Sequence, residues 1–319
     1  MTITGYYSIL AAIRKLWINN CLIPHFEKVR HGMKEILKSY LTLTKPTIML
    51  LVVFTGATAL IVEGSFLHEP VKFILVLVGL YLTGGCANGL NQFFERDIDA
   101  KMERTKSRRP LPGGILSPMH ALIFCSIIGV SGVILFAVTF NWLTAILSLA
   151  TILFYSFFYT LYLKPNTSQN IVIGGAAGAM APVGAWAAAT NTMAPAPWIM
   201  FLIVFFWTPP HFWALALFCK NDYIKAKLPM MPVVKGDDST LRQMFYYSLV
   251  LVVTTLALIF FKSGWIYAVT AIILGFFFVK KAYDAMKYKT EKIIRGLFGY
   301  SIVYLFALFL AMIVDSLVA

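Results

Sequence analysis

Charge is scarce in this chain. Of its 319 residues only 13% are Asp, Glu, Lys or Arg, about half the ~25% usual in soluble globular proteins. Hydrophobic residues make up 59%. A soluble fold is therefore excluded, and a polytopic membrane protein is expected. The shortage falls hardest on carboxylates: 14 Asp and Glu stand against 27 Lys and Arg, for a net charge of +13. That excess does not signal a nucleic-acid partner, because no soluble basic domain is present to carry one; membrane proteins retain Lys and Arg in their cytoplasmic loops. Cysteine is nearly absent too. Cys21, Cys86, Cys125 and Cys219 form no CxxC pair, so neither a disulfide framework nor a thiolate metal site is expected. No cleavable signal peptide is evident, since the early apolar run is short and lacks a small-residue cleavage site.

What is present is a series of apolar runs long enough to cross about 30 Å of hydrocarbon. They fall at roughly 46–63, 71–94, 118–139, 142–163, 170–190, 196–219, 243–261, 264–280 and 296–315. Nine spans follow, in one membrane domain over 46–319. Residues 1–45 precede it as a basic segment whose interspersed apolar residues suit an interfacial helix. With the N-terminus inside, 24 of the 27 Lys and Arg fall on inside segments or loops, and Lys280 borders one. This asymmetry predicts a cytoplasmic N-terminus and an outside C-terminus. The two longest inside loops, 95–117 and 220–242, are also the most charged, so chemistry on charged substrates should lie there.

Four of the fourteen acidic residues crowd into Glu95–Glu103. If the second span continues helically, Asn91, Glu95 and Asp99 recur every four residues and share one face, with Asp97 on the other side. Oxygen donors in such a rank suit Mg²⁺, which takes one or two carboxylates and completes its shell with substrate phosphates. Lys101, Arg104, Lys106, Arg108 and Arg109 follow at once, and guanidinium forks match phosphate oxygens. Together these residues read as a diphosphate site. On spacing alone a solvated helix end, with Asp97 and Lys101 paired, explains the same pattern equally well.

Further along, Tyr155, Tyr159 and Tyr162 are compatible with either an interfacial aromatic belt or, for the i, i+4 pair Tyr155 and Tyr159, a cavity wall. Pro182 is expected to kink the fifth span, whose small residues permit close helix packing. The sixth span carries Trp207, Pro209, Pro210 and His211. An ionisable residue deep in a span is a functional candidate by default, though a hydrogen-bonded structural histidine is the plain alternative. In the second loop, Lys220, Lys225 and Lys227 are point charges able to meet diphosphate, and Asp222 is an isolated carboxylate: Ala226 stands four residues on.

The run Asn91-Gln92-Phe93-Phe94-Glu95-Arg96-Asp97-Ile98-Asp99-Ala100-Lys101-Met102-Glu103-Arg104-Thr105 resembles the first aspartate-rich motif of the UbiA family of membrane prenyltransferases. Its DIDxxMxRT form, the run LKPNTSQNIVIGGAAGAMAPVGAW, the run PHFWALAL around His211 and the loop DYxxAxxPMMPVVxG are similar, in that order, to the branch of the family that farnesylates protoheme IX. Two departures stand out. Glu95 occupies a position where the family usually has Asp. The Arg-Thr-x-x-Arg-Pro continuation is one residue longer here, leaving Arg108 and Arg109 to compete for one role.

The resemblance implies an all-α fold of nine transmembrane helices around a central cavity. It implies Mg²⁺ held by Asn91, Glu95, Asp99 and Asp222, and diphosphate met by Lys101, Arg104, Lys106, Arg108, Arg109, Lys220 and Lys225. Tyr155, Tyr159, Trp207 and His211 would line the substrate cavity, with His211 touching porphyrin or moving a proton. The implied reaction joins farnesyl diphosphate to a vinyl group of protoheme IX (heme B), adds water and gives heme O. The product would pass to heme A synthase or terminal oxidase assembly. A bacterial cytoplasmic membrane is expected in preference to the mitochondrial inner membrane. Competing readings are a prenyltransferase for another aromatic or tetrapyrrole acceptor and a non-enzymatic transporter or oxidase assembly factor.

Overall fold

The computed structural model describes residues 23–262 and 264–318. The part of the basic amino-terminal segment before Ile23 lies outside the described residues. Among the described residues every regular element is helical, and nine helices are long and apolar enough to cross a membrane. They run Pro46–Glu63, Pro70–Phe94, Pro118–Thr139, Trp142–Asn166, Asn170–Thr190, Pro195–Phe218, Gly236–Phe261, Trp265–Tyr288 and Glu291–Val318. Proline at N1 or N2 opens the first, second, third and sixth, where its fixed φ is pre-set for a helix and its missing N–H costs nothing. The last three spans extend beyond the apolar runs that mark them. Helix continues over Gly236–Arg242, Lys281–Tyr288 and Glu291–Arg295, so the charged stretches expected as loops are mostly helix ends. Hydropathy reports only the part of a helix matched to hydrocarbon. An amphipathic helix, Ile23–Leu43, precedes the first span and exposes Met33, Ile36, Leu37 and Leu41.

Small residues let the second and third spans approach closely. Cys86 packs where a side chain on Gly129 would lie, and Cys125 does the same at Gly89; both cysteines act as small buried hydrophobes. A Cβ on Gly132 would stand 2.7 Å from Thr83 Cγ2 and 3.2 Å from the Thr83 backbone nitrogen. Gly132→Ala is therefore expected to force the helices apart at a cost of about 1–3 kcal/mol. Gly299 has open space around it, so Gly299→Ala is the control. Thermal unfolding of the purified protein should show a lower midpoint for the first variant and an equal or slightly higher one for the second, where alanine favours the helix.

Two helices depart from regular α geometry. The fourth span winds as a π-helix over Phe154–Leu163, with i→i+5 bonding of a kind frequent at functional sites. The fifth breaks into Asn170–Ala179 and Ala181–Thr190. Pro182 lacks the N–H that would continue the ladder, which is the interruption expected there. The sixth span stays continuous through Pro209 and Pro210.

Candidate functional site

The second span ends at Phe94, and Glu95 is its C-terminal cap. Helical register nevertheless survives the break. Glu95 N donates to Asn91 O at 3.0 Å, and Asp99 N donates to Glu95 O at 2.8 Å. These i→i−4 bonds keep Asn91, Glu95 and Asp99 on one face. All three are buried, at 2%, 2% and 0% exposure, whereas the Asp97 side chain is 85% exposed and its nearest ion pair is with neighbouring Arg96 at 3.9 Å. A solvated helix end would not bury two carboxylates and an amide together.

Three cations converge on this rank. Lys164 Nζ donates to Glu95 Oε1 at 2.5 Å. Arg109 is ion-paired with Asp99 and reaches Glu95 Oε2 at 3.8 Å. Lys45 Nζ donates to Asn91 Oδ1 at 2.8 Å. Burial pushes the Lys45 amine down to about 7, with Arg109 adding repulsion and Glu95 opposing both. Burial also works against the Glu95 carboxylate, but Lys164, Lys45 and Arg109 together outweigh it and hold that carboxyl below its ordinary value.

The second loop meets the first at Asp222, whose Oδ2 accepts from the Arg104 backbone N–H at 3.3 Å. Thr105 pins the loop by donating its hydroxyl to Asp99 O at 2.8 Å. Both competing arginines donate their backbone N–H to Thr105 O, Arg108 at 3.1 Å and Arg109 at 3.0 Å, but only the Arg109 side chain enters the site, while Arg108 is exposed. Lys101, Lys106 and Lys225 are exposed as well. Lys220 pairs with Asp237 at 2.7 Å. Arg104 is half-buried, with an Nε that has no hydrogen-bond partner.

Two buried carboxylate oxygens, Glu95 Oε2 and Asp99 Oδ1, lack any hydrogen bond. Buried polar atoms are normally satisfied, so this pair of hard oxygen donors fits a divalent cation. Among the described residues no three His, Cys, Asp or Glu side chains form a metal cage. A cation here would draw on Glu95, Asp99 and the Asn91 amide oxygen and would need further oxygens from elsewhere, as Mg²⁺ sites commonly do.

Deeper in the helices, Tyr155 and Tyr159 stack with ring centroids 5.0 Å apart. A side chain on Gly174 would overlap the Tyr159 ring, so the glycine-rich start of the fifth span makes room for it. His211 is clamped between Trp207 and Phe298, at centroid distances of 4.3 and 4.5 Å. Its Nδ1 lies 2.7 Å from Ser301 Oγ, and Ser301 donates its hydroxyl to Phe298 O at 2.6 Å. With that proton committed, the hydroxyl accepts from Nδ1–H, and Nε2 carries the free lone pair.

Lys45 and Lys164 are site residues that spacing did not reveal. Each is a lone lysine at the end of a span, where the sequence alone does not set it apart from other loop lysines. Ser301 and Thr160 gave no signal either.

Residues 50–313 match the model of the UbiA prenyltransferase family. The chain is 44% identical to the protoheme IX farnesyltransferase of Microcystis aeruginosa, covering 91% of this chain and 93% of the relative. It is 42% identical to that of Picosynechococcus sp., covering 95% of each. Its fold is similar to a digeranylgeranylglyceryl phosphate synthase structure, with a TM-score of 0.74 at 19% identity over 89% of this chain and 100% of the other. It is also similar to a UbiA homologue from Archaeoglobus fulgidus bound to GPP and Mg²⁺, with a TM-score of 0.59 at 16% identity over 86% and 99% of the two chains. On these grounds the chain belongs to the UbiA prenyltransferase family.

Proposed function

We propose that this protein transfers the farnesyl group of farnesyl diphosphate to a vinyl group of protoheme IX, with addition of water, releasing diphosphate and heme O. The observation that carries the reading is the buried rank Asn91, Glu95 and Asp99 set against Lys45, Lys164 and Arg109. Such an arrangement suits a metal–diphosphate leaving group. The acceptor is taken from the relatives named protoheme IX farnesyltransferase, which span nearly the whole chain. The other prenyl acceptors and the transporter reading have no observation of this kind behind them.

Glu95, Asp99 and Asn91, with Asp222 from the second loop, would hold Mg²⁺, as the Archaeoglobus fulgidus homologue's bound GPP and Mg²⁺ support. Mg²⁺, when bound, supplies positive charge to the diphosphate oxygens. Arg109, Lys164 and Lys45, which neutralise the carboxylate rank, would turn to those oxygens and stabilise the charge that grows on them. As the C1–O bond breaks, its electron pair leaves with diphosphate. C1 of the farnesyl group then bonds to the terminal vinyl carbon, and the inner vinyl carbon takes hydroxide from water. His211 Nε2 carries the free lone pair suited to receive the remaining proton. Trp207, Tyr155 and Tyr159 would keep other water from the allylic cation.

The test is product analysis with purified protein. Farnesyl diphosphate and protoheme IX should give heme O, and an aromatic acid or a chlorophyll precursor in place of heme should give no prenylated product. Prenylation of either substitute without heme O would overturn the reading.

This multi-pass membrane protein is further proposed to sit in a bacterial cytoplasmic membrane with the site facing the cytoplasm, and to hand heme O to heme A synthase or oxidase assembly. The helix Ile23–Leu43 would lie in the inner interface with Met33, Ile36, Leu37 and Leu41 toward lipid. Tags at the two ends should be labelled from opposite sides of sealed vesicles, the amino-terminal one from inside. Labelling of both from one side would contradict this topology.

A further inference from the structure

The π-helical stretch of the fourth span places a hydroxyl where it controls one of the proposed cation ligands. An asparagine amide has two ends of opposite character: the oxygen accepts, and the nitrogen only donates. Only the oxygen can serve a cation. Which end faces a site is fixed by the hydrogen bonds around it.

At Asn91 the deciding neighbour is Thr160, sixty-nine residues away in sequence. Thr160 Oγ1 donates its proton to Tyr155 O at 2.8 Å, five residues back. In an α-helix a threonine returns its proton to the carbonyl three or four residues back; here the π winding brings a fifth within reach. Having given its proton away, the hydroxyl offers Asn91 only lone pairs. It accepts from Asn91 Nδ2 at 3.1 Å. A flipped amide would set oxygen against oxygen, and no solvent is present to relieve the mismatch, since Asn91 is 2% exposed and Thr160 5%. Oδ1 must therefore face the carboxylate rank, where Lys45 Nζ now donates to it. A divalent cation at that oxygen would repel the Lys45 ammonium, which would leave Thr160 as the group that keeps the amide from turning.

We propose that Thr160 is a positioning residue for the cation site, acting by fixing the Asn91 amide with its oxygen toward the cation. The inference rests on the metal–diphosphate reading given above. Thr160 acts through Asn91.

The experiment measures binding of Mn²⁺, as a stand-in for Mg²⁺, to the full-length protein in the presence of inorganic diphosphate, by electron paramagnetic resonance. Thr160→Val keeps the shape and removes the hydroxyl. Thr160→Ser keeps the hydroxyl and removes the methyl. Wild type and Thr160→Ser should bind Mn²⁺ alike, and Thr160→Val should bind it roughly five- to tenfold more weakly, the scale of one lost buried hydrogen bond. In turnover, Thr160→Val should need more Mg²⁺ for half-maximal rate and approach the wild-type kcat at saturating Mg²⁺. A residue that merely packs would lower stability without moving the Mg²⁺ requirement. If Thr160→Val does not fold, as judged by thermal unfolding, Thr160→Ala takes its place with the same expectation. Equal Mn²⁺ binding by wild type and Thr160→Val overturns the inference, as does an equal loss in Thr160→Ser. A wild type that binds no Mn²⁺ with diphosphate overturns the metal–diphosphate reading itself, which separates the two failures.

Discussion

Replacing Asp99 with asparagine is expected to lower prenyl transfer about 10²–10³-fold, the range seen when one preorganised charge-stabilising group is removed from an active site. Asp99 is fully buried. One of its oxygens faces Arg109, and the other has no hydrogen bond at all. Asparagine preserves the volume and one oxygen but loses the negative charge that a divalent cation needs. Arg109 would then lie partly buried beside an amide, and breaking a buried ion pair costs about 3–5 kcal/mol. Assays should therefore be run well below the unfolding midpoint of the variant. Asp97→Asn is the matched control two residues away. That side chain is largely exposed, so its rate should stay within about twofold, as surface substitutions usually have little effect. Equal losses at both positions would mean that the acidic cluster acts through bulk charge and not through the buried rank.

Arg109→Ala should cost about 10²-fold in kcat/KM for farnesyl diphosphate, with Arg108→Ala close to wild type. The two arginines are adjacent and chemically identical, and only their placement separates them. Arg109 reaches both carboxylates of the rank, so its guanidinium would be at hand for a diphosphate held there. Arg108 is exposed. Inhibition by inorganic diphosphate gives a second readout: Arg109→Ala should be inhibited more weakly, and Arg108→Ala as wild type. Arg109→Lys should recover only part of the loss, because an ammonium is a point charge without the planar fork that matches phosphate oxygens. A larger effect at Arg108 would move the diphosphate out of the buried rank and onto the loop surface.

The spans were readable because burial in hydrocarbon demands long apolar runs, and nine of them stand in the sequence. Their ends were less readable. Asp237, Asp238 and Arg242 begin the seventh span, and Glu291 and Arg295 begin the ninth; in water-exposed turns charged residues propagate a helix as well as apolar ones do. The carboxylate rank could be read because a four-residue repeat survives the helix break at Glu95. Lys45 and Lys164 could not be assigned from spacing, since their partners lie 46 and 69 residues away. Each alone looks like one more cytoplasmic lysine. The choice between Arg108 and Arg109 was invisible for another reason: both donate their backbone N–H to Thr105 O, so only the direction each side chain takes separates them, and a one-residue difference in loop length leaves no pattern. The loop lysines Lys101, Lys106 and Lys225 share the charge of the site cations but point to solvent, where charge is cheap to keep.

Asn91, Glu95 and Asp99 are proposed to hold a divalent cation that stabilises the departing diphosphate. The most direct test is heme O formation by the purified protein, with farnesyl diphosphate and protoheme IX saturating, while free Mg²⁺ is set by EDTA. Turnover should rise saturably with Mg²⁺, vanish on chelation and return when Mg²⁺ is restored, with Asp99→Asn staying about 10²–10³-fold below wild type across the same range. Undiminished heme O formation in excess EDTA would rule out a divalent cation at this rank.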